Sequence, residues 1–232
     1  MVAENLNEVQ KIIKETCAAC GRDPKDVKLI AVSKTKPGEL IMEAYGHGQR
    51  SFGENYVQEL TVKYEELPRD IEWHMIGHLQ RNKVKFVVGK AALIHSVDSL
   101  RLAREINDRS EKLGLVTNIL AEINVAGEVN KYGFKPEEAA AFAEEISHLK
   151  NIELQGLMTS APFVTDPEEN RIFFKILREL SVDIEKKNID NVRMRELSMG
   201  MTGDYRVAIE EGATMIRVGT AIFGARDYGG IS

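Results

Sequence analysis

Lys34 lies in the run Leu29-Ile30-Ala31-Val32-Ser33-Lys34-Thr35-Lys36-Pro37, an apolar strand that delivers an amine to its own C-terminal end and stops at proline. A half-buried ammonium at the mouth of an apolar barrel loses solvation, a setting in which lysine becomes a nucleophile able to form an imine. On the strand alone, a solvated surface lysine is the simpler reading. Further polar and glycine residues stand at corresponding places after other apolar runs. Asn55 follows the second run, Gly77-His78 the third, Asn124 the fifth and Thr159-Ser160 the sixth. Ser198-Met199-Gly200-Met201-Thr202-Gly203 follows the seventh and Gly219-Thr220 the eighth.

The elements that must position these residues are legible from periodicity. Strands are expected at Lys28 to Ser33, Ser51 to Glu54, Glu72 to Ile76, Leu93 to Ser96, Asn118 to Asn124, Glu153 to Met158, Arg195 to Ser198 and Met215 to Val218. Amphipathic helical stretches separate them, among them Leu100 to Leu113, Pro136 to Leu149 and Pro167 to Lys187. Asp98-Ser99 and Thr165-Asp166 offer N-caps. Strand–helix alternation repeated eight times, with an extra N-terminal helix, predicts an α/β protein built as a single (β/α)8 TIM barrel. No linker interrupts the 232 residues, so one domain over 1–232 is expected. In such a barrel the residues after the strands share one face, where ligands bind.

The seventh and eighth loops combine glycines with hydroxyls ahead of helix starts, whose free N–H groups favour a phosphate. Turn-making alone would account for either loop. Arg217, inside Met215-Ile216-Arg217-Val218-Gly219, is a permanent cation in an apolar strand and needs a partner, either a ligand or a neighbouring carboxylate. Cys17 and Cys20 form a CxxC within a helical pattern ending at Gly21, with no second cysteine pair to complete a zinc site. They read as two small helix residues facing core or solvent.

A formal charge of −5 gives no broad basic field, which disfavours nucleic acid. No apolar run approaches the roughly 20 residues of a membrane span, and Met1-Val2-Ala3-Glu4-Asn5 lacks signal-peptide character. A cytoplasmic location is the expectation.

The strings LIAVSKTKP (29–37), FGENYVQE (52–59), WHMIGHLQRNK (73–83), NKYGF (130–134), GLMTSAP (156–162), LSMGMTGDY (197–205) and IRVGTAIFG (216–224) resemble, in order, the YggS/PROSC family of pyridoxal 5′-phosphate homeostasis proteins. The resemblance implies a barrel of the alanine racemase N-terminal type that binds pyridoxal phosphate (PLP) without substantial catalysis. Lys34 matches the lysine of the internal aldimine. Ser198, Gly200 and Met201 match the phosphate-holding loop, with Gly219 and Thr220 completing the cup. Arg217 matches the arginine facing the pyridine nitrogen, while Asn55 and His78 match positions lining the cofactor. Thr202-Gly203 stands where family members often carry other small polar residues.

The bottom-up chemistry agrees, because PLP needs an amine for its aldehyde, donors for its phosphate and a partner for its ring nitrogen. Three readings follow: intracellular PLP homeostasis and delivery to PLP-dependent apo-enzymes, a weak PLP-dependent amino-acid racemase, or a cofactor-free lysine aldolase. Racemisation needs acid–base groups on both substrate faces, and Lys34 supplies one. Tyr56, Tyr132 or Tyr205 would have to reach the site to supply the other. A monomer is the expected state.

Overall fold

Short strands buried on both faces need apolar partners on both sides, and this chain supplies one set inside the sheet and another between sheet and helices. The computed structural model describes residues 1–225. Its strands are β1 (Lys28–Val32), β2 (Ser51–Glu54), β3 (Glu72–Met75), β4 (Ala91–Val97), β5 (Thr117–Glu122), β6 (Ile152–Met158), β7 (Val192–Met201) and β8 (Met215–Val218). All neighbours pair parallel, and β8 closes on β1 with Ile30 opposite Arg217. The result is a closed barrel of eight strands.

The helices, in chain order, are α1 (Val2–Cys20), α2 (Gly38–Gly46), α3 (Val57–Glu66), α4 (Val84–Val87), α5 (Leu100–Leu113), α6 (Ala139–Ile146), α7 (Arg171–Glu185), α8 (Tyr205–Glu210) and α9 (Thr220–Phe223). The large apolar cluster lies between them and the strands. A separate small cluster of Ile30, Leu93, Leu120, Met158 and Met215, one from each of five strands, fills the barrel's inner face. Beside it the buried polar side chains His74, His95, Ser198 and Arg217 also come from strands.

The extra helix α1 buries Val2, Leu6, Val9, Ile13 and Cys17 on one face and packs against α8 and α9. Gly21 ends it in the left-handed conformation at φ 73. Cys17 faces the core and Cys20 faces solvent, and neither is in a disulfide. No group of three or more metal-capable side chains occurs among the described residues. No described helix is long and apolar enough to cross a membrane.

Several boundaries differ from the sequence expectation. Pro136–Glu138 and Pro167–Asn170 are 3-10 turns that lead into α6 and α7, because proline pre-sets the first turn but donates no hydrogen bond to it. Ser99 and Asp166 do cap, accepting from the backbone N–H of Leu102 and Glu168. The larger difference is β7, which runs on to Met201. Its pairing with β8 shifts register between Ser198 and Met201 and resumes at Met201 opposite Arg217. Ser198 is a strand residue as expected, and Gly200 and Met201, expected in the loop, are strand residues as well. Residues 226–232 of the expected single domain lie outside the described residues.

Gly156 on β6 marks a close approach. A Cβ there would collide with the backbone of Glu196, its partner on β7. Gly156→Ala is expected to lower stability by about 3 kcal/mol, read as a lower denaturant midpoint. A midpoint within experimental error of the parent would show that β6 and β7 can separate without cost.

Candidate functional site

The turn carrying Lys34 is held under strain. Lys36 N–H donates to Ser33 O at 3.0 Å, closing a turn in which Thr35 adopts φ 62. A β-branched residue in the left-handed region costs roughly 1–3 kcal/mol and persists only when its surroundings enforce it. Here the enforcement comes from α3. Glu59 Oε2 accepts the Thr35 N–H at 2.8 Å. Lys63 Nζ, on the next turn of that helix, donates to Glu59 Oε2, to Glu54 Oε1 and to Ser33 O at 2.8, 2.8 and 2.9 Å. Ser33 Oγ donates to Glu54 Oε1 at 2.6 Å. Lys63 is only 8% exposed and Glu54 is fully buried. Burial pushes the Glu54 carboxyl up to about 7, against the pull of Lys63. Lys34 itself is half-buried and partnered.

Arg217 projects from β8 and is 5% exposed. One terminal nitrogen, Nη1, donates to Ser198 O and Oγ at 2.8 and 2.7 Å, and the other, Nη2, to Thr159 O at 2.8 Å. Ser160 Oγ lies 3.5 Å from Nη2. No carboxylate forms a salt bridge with it, so the neighbouring-carboxylate alternative is not what the structure shows among the described residues. Burial lowers the guanidinium to about 10, with Glu122 and Asp204 opposing, so it stays charged at neutral pH. These contacts all engage the two terminal nitrogens of the guanidinium.

Both elements face one cavity of about 760 Å³. Of the nine residues expected at the site, Lys34, Asn55, Met201, Arg217, Gly219 and Thr220 line it, together with Thr202 and Gly203. A Cβ on Gly219 would lie 3.2 Å from Val32 O and 3.3 Å from Val32 Cβ, so a glycine lets the backbone of β8 sit tight against β1 at the cavity wall. The first N–H groups of α8 and α9 have no intrahelical acceptor.

The other three residues lie elsewhere. Ser198 is fully buried behind Arg217, which it holds. Gly200, at φ 88, stands where a Cβ would come within 2.5 Å of Ala208 Cβ, so it allows α8 to turn back onto β7. His78 lines a smaller adjoining pocket of about 200 Å³, which it shares with Asn55. Its Nδ1 is 3.0 Å from Asp98 Oδ2, and its ring stacks on Tyr132 at 3.7 Å.

Sequence reading missed the supports. Asp204 Oδ1 accepts Met201 N–H at 2.6 Å and its Oδ2 accepts Asn170 Nδ2 at 2.8 Å, pinning the turn after β7. The Thr-Gly-Asp signature of that turn is readable in the sequence. The Glu54, Glu59 and Lys63 clamp was visible only as an i, i+4 pair in the helix and gave no pointer to Lys34. Lys131, also lining the cavity, binds Glu128 and sits 3.3 Å from Ser160 O.

The model for the family described as alanine racemase, N-terminal domain, matches residues 3–227. The pyridoxal phosphate homeostasis protein of Aquifex aeolicus is 46% identical over 226 residues, covering 97% of this chain and 98% of that one. A solved structure of an unknown protein from Bifidobacterium adolescentis superposes with a TM-score of 0.92 at 39% identity, covering 96% and 94% of the two chains. PipY of Synechococcus elongatus, solved with PLP bound, superposes with a TM-score of 0.84 at 36% identity, covering 97% and 100%.

Glu122 ends β5 close to this site, and burial, aided by Asp98, pushes its carboxyl up to about 7 while Arg217 opposes. A raised carboxyl binds its proton more tightly when folded. The stability it contributes is therefore full below the unfolded value of 4.5 and is lost as pH climbs through about 7. Glu122→Gln, neutral throughout, is expected to match the parent near pH 4.5 and to exceed it by roughly 1–3 kcal/mol at pH 8. Denaturant titration across that range checks this, and a constant difference would mean that Arg217 keeps Glu122 ionised throughout.

Proposed function

The chain belongs to the alanine racemase N-terminal domain family and, within it, to the pyridoxal phosphate homeostasis proteins; from that premise we propose how its cavity serves the cofactor. The protein binds PLP and acts in its homeostasis. The observation that carries the reading is the convergence of a lysine, a buried arginine held by uncharged acceptors, and two glycine–hydroxyl loops on one cavity. When bound, PLP supplies an aldehyde that condenses with an amine and a ring that can draw electrons from a bond beside that amine.

The residues present fit that group. Lys34 is the amine that holds the aldehyde. Thr202 and Gly203 after β7, with Gly219 and Thr220 after β8, provide N–H and O–H donors for the phosphate beside the first turns of α8 and α9. Met201 and Asn55 complete the walls. Arg217 would face the ring nitrogen as a hydrogen-bond donor. Because a guanidinium has only donors, this contact favours an unprotonated ring and a weak electron sink. Ser198 acts through Arg217, Gly200 through the turn that carries the cup, and His78 from the adjoining pocket.

The protein holds and releases the cofactor without substantial catalysis, passing it to PLP-dependent apo-enzymes in the cytoplasm as a monomer. Among the described residues no tyrosine lines the cavity. Tyr56 lines the adjoining pocket, Tyr132 stacks on His78, and Tyr205 is buried in α8. That argues against a tyrosine acid–base partner opposite Lys34.

The test loads the protein with PLP, records the visible band, and treats it with borohydride. The expected result is a pyridoxyl adduct on Lys34 in the parent. Lys34→Ala is expected to lose the adduct and the band yet retain weak PLP binding, since charge-assisted hydrogen bonds contribute about 1.5–3 kcal/mol each. A folded Lys34→Ala protein with no PLP binding would remove the phosphate cup from where it is placed. Turnover in a screen of amino acids would replace homeostasis with racemisation or a related reaction.

A further inference from the structure

A chain of buried polar groups runs across the inner face of the barrel beneath Arg217. His74 on β3 is 2% exposed and His95 on β4 is fully buried. His74 Nδ1 lies 2.9 Å from His95 Nε2, with the two rings edge to face at 73°. His95 Nδ1 lies 2.8 Å from Ser198 Oγ, which is 2.7 Å from Nη1 of Arg217. His74 Nε2, at the far end, is buried without a hydrogen-bond partner among the described residues.

The polarity of this chain follows from its charged end. A guanidinium can only donate, so Ser198 Oγ accepts from Arg217. The single hydroxyl hydrogen of Ser198 then goes to His95 Nδ1, which must be an unprotonated acceptor. A neutral His95 carries its hydrogen on Nε2 and donates it to His74 Nδ1. His74 in turn carries its own hydrogen on Nε2. The chosen polarity leaves one buried group unbonded, the His74 Nε2–H, whereas the reverse polarity leaves two, the Ser198 hydroxyl hydrogen and the His74 Nε2 lone pair, each at a cost of about 1–3 kcal/mol.

The charges around the chain keep it neutral. Burial, then Lys28, lowers His74 to about 3, with only Glu72 opposing. Burial, His74, Arg217 and Lys28 all hold His95 well below the usual histidine range. Neither ring therefore competes with Arg217 as the cation at the floor of the cavity.

We infer that His95 and His74 are positioning residues for Arg217, two neutral Nε2–H imidazoles that fix the Ser198 hydroxyl as an acceptor for Nη1 and so set how the guanidinium sits at the cavity. The chain gives the guanidinium a rigid backing of uncharged groups. That the occupant is PLP rests on the function proposed above, whereas the tautomers do not.

Two measurements test this. In ¹⁵N NMR of the cofactor-free, full-length protein, His74 and His95 should both show the Nε2–H tautomer and no titration from about pH 5.5 to about pH 9. An Nδ1–H tautomer or a titration at either ring would overturn the chain. In the PLP-loaded protein, His95→Leu removes the acceptor of the Ser198 hydroxyl. It should shift the pH titration of the visible band and weaken PLP binding about fivefold. His95→Asn, which keeps an acceptor near Nδ1, should restore the band's titration even if its thermal midpoint stays low. A folded His95→Leu protein with the parent's titration would reduce both histidines to core packing. A parent that takes up no PLP would remove the cofactor reading while the NMR result still decides the chain.

Discussion

A cation that cannot lose its proton sits inside a closed barrel, and the strands around it satisfy its donors without neutralising it. Arg217 is held by the carbonyls of Ser198 and Thr159 and by the Ser198 hydroxyl, all uncharged acceptors on β7 and just beyond β6. Burying an unpaired charge is expensive, so such a site survives only with dense hydrogen bonding. The register break between Ser198 and Met201 helps supply it, because the distorted end of β7 places a carbonyl and a hydroxyl on the same donor. An electron-rich or anionic occupant of the cavity then meets a cation that Glu122 and Asp204 temper from a distance but do not pair with among the described residues.

The neighbouring strand β1 works on a different principle. Lys34 is placed by a strained turn, and the strain at Thr35 is countered by Glu59, which Lys63 ties to Glu54 and Ser33. The clamp lies behind the turn, so its charges pair with one another rather than with the cavity. Lys34 follows β1 and the glycine–hydroxyl loops follow β7 and β8, with β1 and β8 packed tightly at Gly219. The amine and the glycine–hydroxyl loops thus reach the cavity from separate turns on neighbouring strands.

The sequence made the barrel legible because hydrophobic periodicity depends only on which face each residue buries. All eight strands lie where the apolar runs place them, and α5 has the expected bounds. The site was legible where its chemistry demands unusual residue types: an amine after β1, glycines after β8, an arginine in an apolar strand. Gly200 and Met201 were less so. Their motif reads as a loop, whereas the strand persists through them by backbone pairing that side-chain patterning does not encode. The supports of Lys34 and Arg217 were hidden for a related reason. Lys63, His74 and His95 acquire partners only when distant strands and helices close into the barrel.

A protein that manages a reactive aldehyde must hold it firmly, release it to others and avoid spending it on chemistry. Two anchors on separate loops suit the first two needs, since either can let go while the other still binds. The third need falls on the floor of the cavity. A donor-only guanidinium backed by neutral acceptors can fix a ring nitrogen's lone pair but offers no site to take up a proton. Under the proposed function, holding the ring in that form would withhold the electron sink on which carbanion chemistry depends, so binding and low reactivity would arise from the same contact.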